Sequence, residues 1–225
     1  MHIAIIPDGN RRWAQAQKKP AWWGHMAGAK KMEEFANWCS KRPEVKTVSV
    51  YALSTENLNR SPEELDKLWS VYQKEFKALM NSRSLKKNGG LRVNVIGNSD
   101  MWRGDVRQAA RDVMRATRQY TGGVLNILLA YGSQFEIMRA MRKLVGKGIK
   151  TVPFAEDTFN KLLMVTQPVD LVIRTGGQSR LSNFLLYQAA YAELYFTDTL
   201  WPDFSKKEFE KILKWYAAQQ RKFGK

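Results

Sequence analysis

Short apolar, β-rich runs alternate along this chain with longer segments of helical periodicity. That order admits few architectures, and the best fit is a mostly parallel sheet covered by helices. The strand-like runs are 3–6, 47–53, 92–97, 125–131, 171–175 and 194–197. Helical patterns occupy 27–41, 61–80, 100–120, 133–145 and 205–222, with short apolar helices predicted at 157–165 and 185–191. The helix after Ser61-Pro62-Glu63-Glu64 opens on a capping box with proline at its first position. It aligns Leu65, Leu68, Tyr72, Phe76 and Leu79 on one face. By periodicity alone the aromatics there (Trp69, Tyr72, Phe76) read as core. At 225 residues with no repeat and no linker, the expectation is an α/β fold in one domain.

In such sheets ligands bind beyond the carboxyl ends of the strands. Four of those ends are polar: Asp8-Gly9-Asn10-Arg11-Arg12, Ser54-Thr55-Glu56-Asn57, Tyr131-Gly132-Ser133 and the segment from Arg174 to Arg180. The first reads either as a tight turn or as a phosphate cradle. In the second reading glycine admits an anion to the backbone, Arg11 and Arg12 supply charge, and Asp8 holds a divalent metal. Arg174, Arg180 and Ser182 around Gly176-Gly177 read either as a solvated loop or as a diphosphate clamp, since guanidinium forks match phosphate oxygens. Glu193, taken alone, is a surface or cap carboxylate.

Charge narrows the partners. The 37 Lys and Arg against 21 Asp and Glu leave +16, which predicts an anionic ligand or surface. Arg103, Arg107, Arg111 and Arg115 fall four apart on one helix and read first as a solvated face. Cys39 is the single cysteine, expected as a small buried hydrophobe. One cysteine with His2 and His25 cannot build a metal cluster. The strings GxSxG, Walker A and GxGxxG are absent. Strand-like sequence from Ile3 and the lack of any ~18-residue apolar run predict a cytoplasmic protein with no leader or membrane span.

Six strings go beyond spacing: IAIIPDGNRRWA (3–14), GHMAG (24–28), YALSTENLNRSPEE (51–64), RVNVIGN (92–98), LNILLAYGS (125–133), and the long block from 170 to 204. In these the chain resembles the cis-prenyltransferases, the family of undecaprenyl and dehydrodolichyl diphosphate synthases. The resemblance implies a hydrophobic tunnel for a prenyl tail, with helix 61–80 as one wall. It implies Mg²⁺ at Asp8 and Glu193. It puts Gly9, Asn10, Arg11 and Arg12 around an allylic diphosphate, with Trp13 and His25 beside them. Ser54, Glu56, Asn57 and Arg60 would belong to a closing loop, and Arg174, Arg180 and Ser182 would grip isopentenyl diphosphate. Asp8 and Asn57 are the implied catalytic residues, with the general base left open among Asn57, Asp8 and a diphosphate oxygen. A homodimer through 185–196 and the terminal helix is also implied. The charge not placed at the diphosphates, largely on Arg103–Arg115 and the Lys-rich terminal helix, reads as a surface for anionic membrane, and no nucleic acid is expected.

The chain departs from the family's common pattern in places. The arginine before GH is replaced by Ala21, with Trp22-Trp23 following; the aromatic pair of YAFSxENW is Leu53 and Leu58. The segment after the second Gly-Gly reads Gln178-Ser179, and the terminal RxG reads Lys222-Phe223-Gly224. Arg11 is the expected substitute for the missing arginine. Altered allylic residues keep two alternatives open: irregular, lavandulyl-type coupling of two allylic diphosphates, and a non-catalytic partner or basic nucleic-acid binder.

Overall fold

The computed structural model describes residues 1–82, 89–146 and 156–219. Six strands form one sheet: β1 (His2–Ile6), β2 (Thr47–Ser54), β3 (Leu91–Ile96), β4 (Gly123–Tyr131), β5 (Leu171–Arg174) and β6 (Glu193–Phe196). Their order is β3-β4-β2-β1-β5-β6 and every pairing is parallel. Parallel strands need crossovers, and helices supply most of them. These are α1 (Asn10–Ala16), α2 (Ala21–Ser40), α3 (Pro62–Asn81), α4 (Gly104–Ala116), α5 (Ser133–Gly146), α6 (Glu156–Asn160) and α7 (Lys206–Ala217).

Both sheet faces are buried, which is why β1 and β5 read as unbroken apolar runs rather than alternating ones. On one face Phe35, Phe76, Val106, Trp201 and Phe209 form the larger core with Ile3, Ile5 and Leu171. On the other, Phe184 and Leu185 pack with Tyr51, Leu128 and Tyr131. Cys39 is 2% exposed in the larger core, and burial raises its thiol pKa, so it is the inert hydrophobe expected.

Several boundaries differ from the sequence reading for identifiable reasons. Two helices, α1 and α2, stand where one was read from 27. Pro20 is extended and starts α2 six residues early. Gly24 lets α2 lie directly on α1, because a Cβ there would collide with the Asn10 carbonyl. The segment 185–191 is turns, not helix: Ser182, Asn183 and Leu185 take φ of 49°, 65° and 44°, which no helix tolerates. The predicted helix 157–165 shortens to α6, because the Glu136 carboxylate captures the Met164 and Val165 amides. Arg103 is no part of a solvated stripe; it precedes α4 and pairs with Asp66 and Asp105, tying α4 to α3. The reading at Lys222-Phe223-Gly224 lies outside the described residues.

Candidate functional site

The chain leaves β1 toward β2 on one side, while β5 lies on the other, so the carboxyl ends of β1 and β5 flank a topological switch point. Register pairs Ile6 with Arg174 across that point. Asp8 therefore faces the arginine that ends β5. Arg174 Nη2 donates to Asp8 Oδ2 at 2.9 Å, and its Nη1 donates to Ser182 Oγ at 2.8 Å and to the Arg180 carbonyl. The Arg174 side chain is 5% exposed, and its Nε is buried with no partner among the described residues. Arg12 Nη2 reaches the Gly176 carbonyl at 2.6 Å and approaches Asp8 Oδ1 at 3.5 Å. Asp8 Oδ1 is thus the less committed oxygen of that carboxylate.

Two glycines are obligatory here. Gly9 has φ +108° and Gly176 φ +82°, conformations that side chains rarely adopt. A Cβ on Gly9 would stand 2.8 Å from Leu200 Cδ2, and one on Gly176 2.7 Å from Arg12 Nη2. Gly9 also begins α1, so the helix start faces the Asp8 mouth.

A second cationic group lines the opposite lip. Glu64 Oε1 lies 2.9 Å from Arg60 Nη1 and 3.8 Å from both Arg11 Nε and His25 Nε2. Arg60 Nη2 donates to Asn57 Oδ1 at 3.0 Å, which holds the amide in place. Burial, then the Arg60 charge, lowers the His25 pKa to about 4, so the imidazole is neutral at physiological pH. Glu64 was legible only as a cap. Its amide does donate to Ser61 Oγ, but its carboxylate gathers cations instead of closing the box.

Below these groups opens a cavity of about 940 Å³. Asp8, Gly9, Asn10, Arg11 and Arg12 line its mouth with His25, Ser54, Asn57, Arg60, Arg174, Arg180 and Ser182. Deeper, Val50, Leu53, Leu68, Val71, Phe76, Leu79 and Ile127 make an apolar channel, with α3 as one wall. Tyr72 and Phe76 serve core and channel together, which joins the core reading from periodicity to the wall role implied for helix 61–80. Glu75 is the discordant wall residue; burial raises its carboxyl pKa.

Three expected residues lie apart from this mouth. Trp13 does not line the cavity: it stacks on Trp23 at 5.3 Å and donates to Asp203 Oδ1 at 2.8 Å. Glu56 accepts from Asn183 Nδ2 at 3.0 Å; burial pulls its carboxyl pKa up, but hydrogen bonds from Asn183, Ser54 and Thr55 outweigh that and lower it. Glu193 opens β6 opposite Leu171, at the amino end of the sheet, three register positions behind Arg174. Within one chain it is not brought to Asp8. No cluster of three metal-ligating side chains exists among the described residues.

The family model for undecaprenyl diphosphate synthase matches residues 6–224. A Thermococcus kodakarensis protein, tritrans,polycis-undecaprenyl-diphosphate synthase (geranylgeranyl-diphosphate specific), is 45% identical over 231 residues, covering 100% of this chain and 86% of its own. A ditrans,polycis-undecaprenyl-diphosphate synthase ((2E,6E)-farnesyl-diphosphate specific) of Buchnera aphidicola is 39% identical over 233 residues, covering 100% and 90%. Among solved structures, lavandulyl diphosphate synthase from Lavandula x intermedia, in complex with dimethylallyl diphosphate, aligns with TM-score 0.93 at 30% identity over 100% of this chain and 98% of its own.

Proposed function

From a chain that belongs to the undecaprenyl diphosphate synthase family of cis-prenyltransferases, we propose an enzyme that condenses isopentenyl diphosphate with an allylic prenyl diphosphate into a Z-configured polyprenyl diphosphate. One observation carries this reading: an arginine-lined mouth opens onto a long apolar cavity. A phosphorylated head fits the first and an isoprenoid tail the second. At ~0.8 kcal/mol per buried CH₂, each five-carbon unit contributes roughly 3–4 kcal/mol of tail binding.

Arg11, Arg12 and the Gly9 backbone hold the allylic diphosphate, with His25 as a neutral hydrogen-bonding neighbour. Arg174, Arg180 and Ser182 hold isopentenyl diphosphate. The cations offset charge on the leaving diphosphate as the allylic C–O bond breaks. The isopentenyl double bond forms the new C–C bond, and loss of a proton gives the Z double bond. No protein nucleophile is required. Asn57, fixed by Arg60, lies at the same mouth. Asp8, whose Oδ1 is the less committed oxygen, would hold Mg²⁺, an ion usually bound by one or two carboxylates together with substrate phosphates. When bound it would supply further neutralisation of diphosphate charge.

The T. kodakarensis relative's geranylgeranyl specificity makes a C20 primer the first to test. Mg²⁺, labelled isopentenyl diphosphate and C5 to C20 primers in turn should give products spaced by five carbons, most from C20. Irregular coupling is the second reading, favoured by the lavandulyl diphosphate synthase likeness. Products from dimethylallyl diphosphate alone would establish it and overturn the first.

The dimer expected from the family has an apolar candidate surface: Leu186, Tyr191 and Leu194 are 38%, 80% and 40% exposed around edge strand β6. Glu193 stands on this edge, so a metal-holding role for it requires the second copy. Sedimentation at micromolar concentration should show a dimer; a monomer removes both ideas.

A further inference from the structure

The two lips of the mouth follow strands that are not neighbours. Asn57 and Arg60 come after β2, Arg180 and Ser182 come after β5, and β1 lies between those strands. Two hydrogen bonds nevertheless cross from one side to the other. Tyr51 Oη, on β2, donates to the Ser182 carbonyl at 3.1 Å, and Asn183 Nδ2 donates to Glu56 Oε1 at 3.0 Å. Neither Glu56 nor Asn183 lines the cavity, so neither has a direct place on a bound substrate.

Asn183 is held firmly from behind. Its carbonyl accepts from the Ser133 amide at 2.8 Å, and its Oδ1 accepts from the Gln134 amide at 2.9 Å. A backbone amide can only donate, so the Gln134 bond fixes which end of the side chain is oxygen and turns Nδ2 to the Glu56 carboxylate. Ser182 and Asn183 have φ of 49° and 65°, a left-handed pair that persists only where its surroundings hold it. Gly132 makes room for the contact: a Cβ there would stand 2.6 Å from Asn183 Nδ2 and 2.9 Å from Thr55 Oγ1. On the other lip, Glu56 opens a single 3₁₀ turn, Glu56–Asn59. That turn is closed by local bonds, from the Asn57 amide to Ser54 Oγ at 3.1 Å and from the Arg60 amide to the Asn57 carbonyl at 3.3 Å. A turn so short moves as a unit, so a tie at Glu56 is a tie on Asn57 and Arg60.

We propose that Asn183 is a positioning residue that couples the two diphosphate sites. Through Glu56 it sets the Asn57–Arg60 lip against the Arg180–Ser182 lip, so that either substrate tightens binding of the other. The inference rests on the polyprenyl reading above. A ligand seated at Ser182 steadies the left-handed pair and with it the Glu56 contact, and the second ligand then meets a lip already ordered. Such coupling is reciprocal and typically amounts to about five- to 150-fold in affinity.

The test measures the Kd of an unreactive thio analogue of geranylgeranyl diphosphate with and without saturating isopentenyl diphosphate. The ratio of the two is the readout, because a merely structural loss weakens both and leaves the ratio. In the wild type it should be at least about fivefold. Asn183→Asp keeps the shape and the Gln134 bond but sets a carboxylate against Glu56, and the ratio should fall below about twofold. Adding Glu56→Gln restores a donor opposite the new carboxylate and the wild-type net charge, and should recover the wild-type ratio to within about twofold. Glu56→Ala, at an exposed position, breaks the same contact without touching Asn183 and should match the first variant even if that one fails to fold. A wild-type ratio near one, a wild-type ratio kept in either single variant, or no recovery in a folded double variant would overturn the proposal. A wild type that binds neither diphosphate and turns nothing over defeats the polyprenyl reading itself; one that condenses both but shows no ratio defeats only the coupling.

Discussion

Asp8→Ala is expected to leave less than a few percent of wild-type condensation while the protein stays folded. Arg174 fixes one oxygen of this carboxylate, and Arg12 touches the other only at 3.5 Å. The side chain is one-third exposed in the cavity mouth, where a diphosphate would stand. A carboxylate beside an anionic diphosphate helps by holding a cation between them, and loss of such a preorganised charge contact costs about a hundred-fold or more. The fold should survive because the local lattice hangs on the Asp8 backbone. Its carbonyl accepts from Thr175 Oγ1 at 2.8 Å and from the Trp201 amide at 3.0 Å, and its amide donates to Ile6. Alanine keeps all three. Labelled isopentenyl diphosphate turnover, with circular dichroism and a thermal midpoint, would measure both halves. Asp8→Asn, which keeps the shape and loses the charge, should be almost as inactive. Turnover above a few percent in either variant would sink the assignment.

The alternation of strands and helices along the chain was legible because each buried parallel strand must be apolar along most of its length, and the turn residues after it must be polar. Asp8 and Arg174 were found that way. What composition could not reveal was pairing across the sheet. That Ile6 sits beside Arg174 depends on β5 lying next to β1, a neighbour 160-odd residues away in the chain. Glu64 shows the same limit at shorter range. Its spacing from Ser61 advertises a cap, and the cap forms, but the carboxylate answers to its local neighbour Arg60 and also to Arg11 and His25, which sit on α1 and α2 and reach it only through the fold.

Where the structure departs from the sequence reading, tertiary contacts are the cause. Residues 185–191 are apolar enough for a helix, yet the run is held from outside at its start: the Leu186 amide donates to Ser133 Oγ, and the Asn183 carbonyl just before it takes the Ser133 amide, so only isolated turns form, such as Ala189 back to Leu185. Tertiary partners outbid the local helix. Trp13 stands in a phosphate-binding string but turns outward because Trp23 and Asp203 offer it a stacked face and an acceptor. Glu193 sits in a family string, but strand register carries it to the far end of β6.

Arg174→Lys keeps the charge at β5 and should still be severely damaging. A lysine presents one compact ammonium on a flexible stem, whereas the guanidinium spans three acceptors at fixed angles. Here those acceptors are the Asp8 carboxylate, Ser182 Oγ and the Arg180 carbonyl. One nitrogen cannot serve both the β1 turn and the loop carrying Ser182. That loop runs through positive φ at Ser182 and Asn183, so it depends on such anchors to stay in place. A hydrogen bond to a charged group contributes about 1.5–3 kcal/mol, and at least one is lost, so the unfolding free energy should fall by roughly 2 kcal/mol. The same loss at the substrate implies a KM for isopentenyl diphosphate raised by about ten- to a hundred-fold. The allylic KM should move less than threefold, because Arg11 and Arg12 are untouched. Ser182→Ala, which removes one acceptor and leaves the fork, should raise the isopentenyl KM by less than Arg174→Lys does. If steady-state kinetics on both substrates showed the allylic KM rising as much as the isopentenyl one, the division of this mouth into two diphosphate sites would be wrong, and Arg174 would belong to a single shared anion site centred on Asp8.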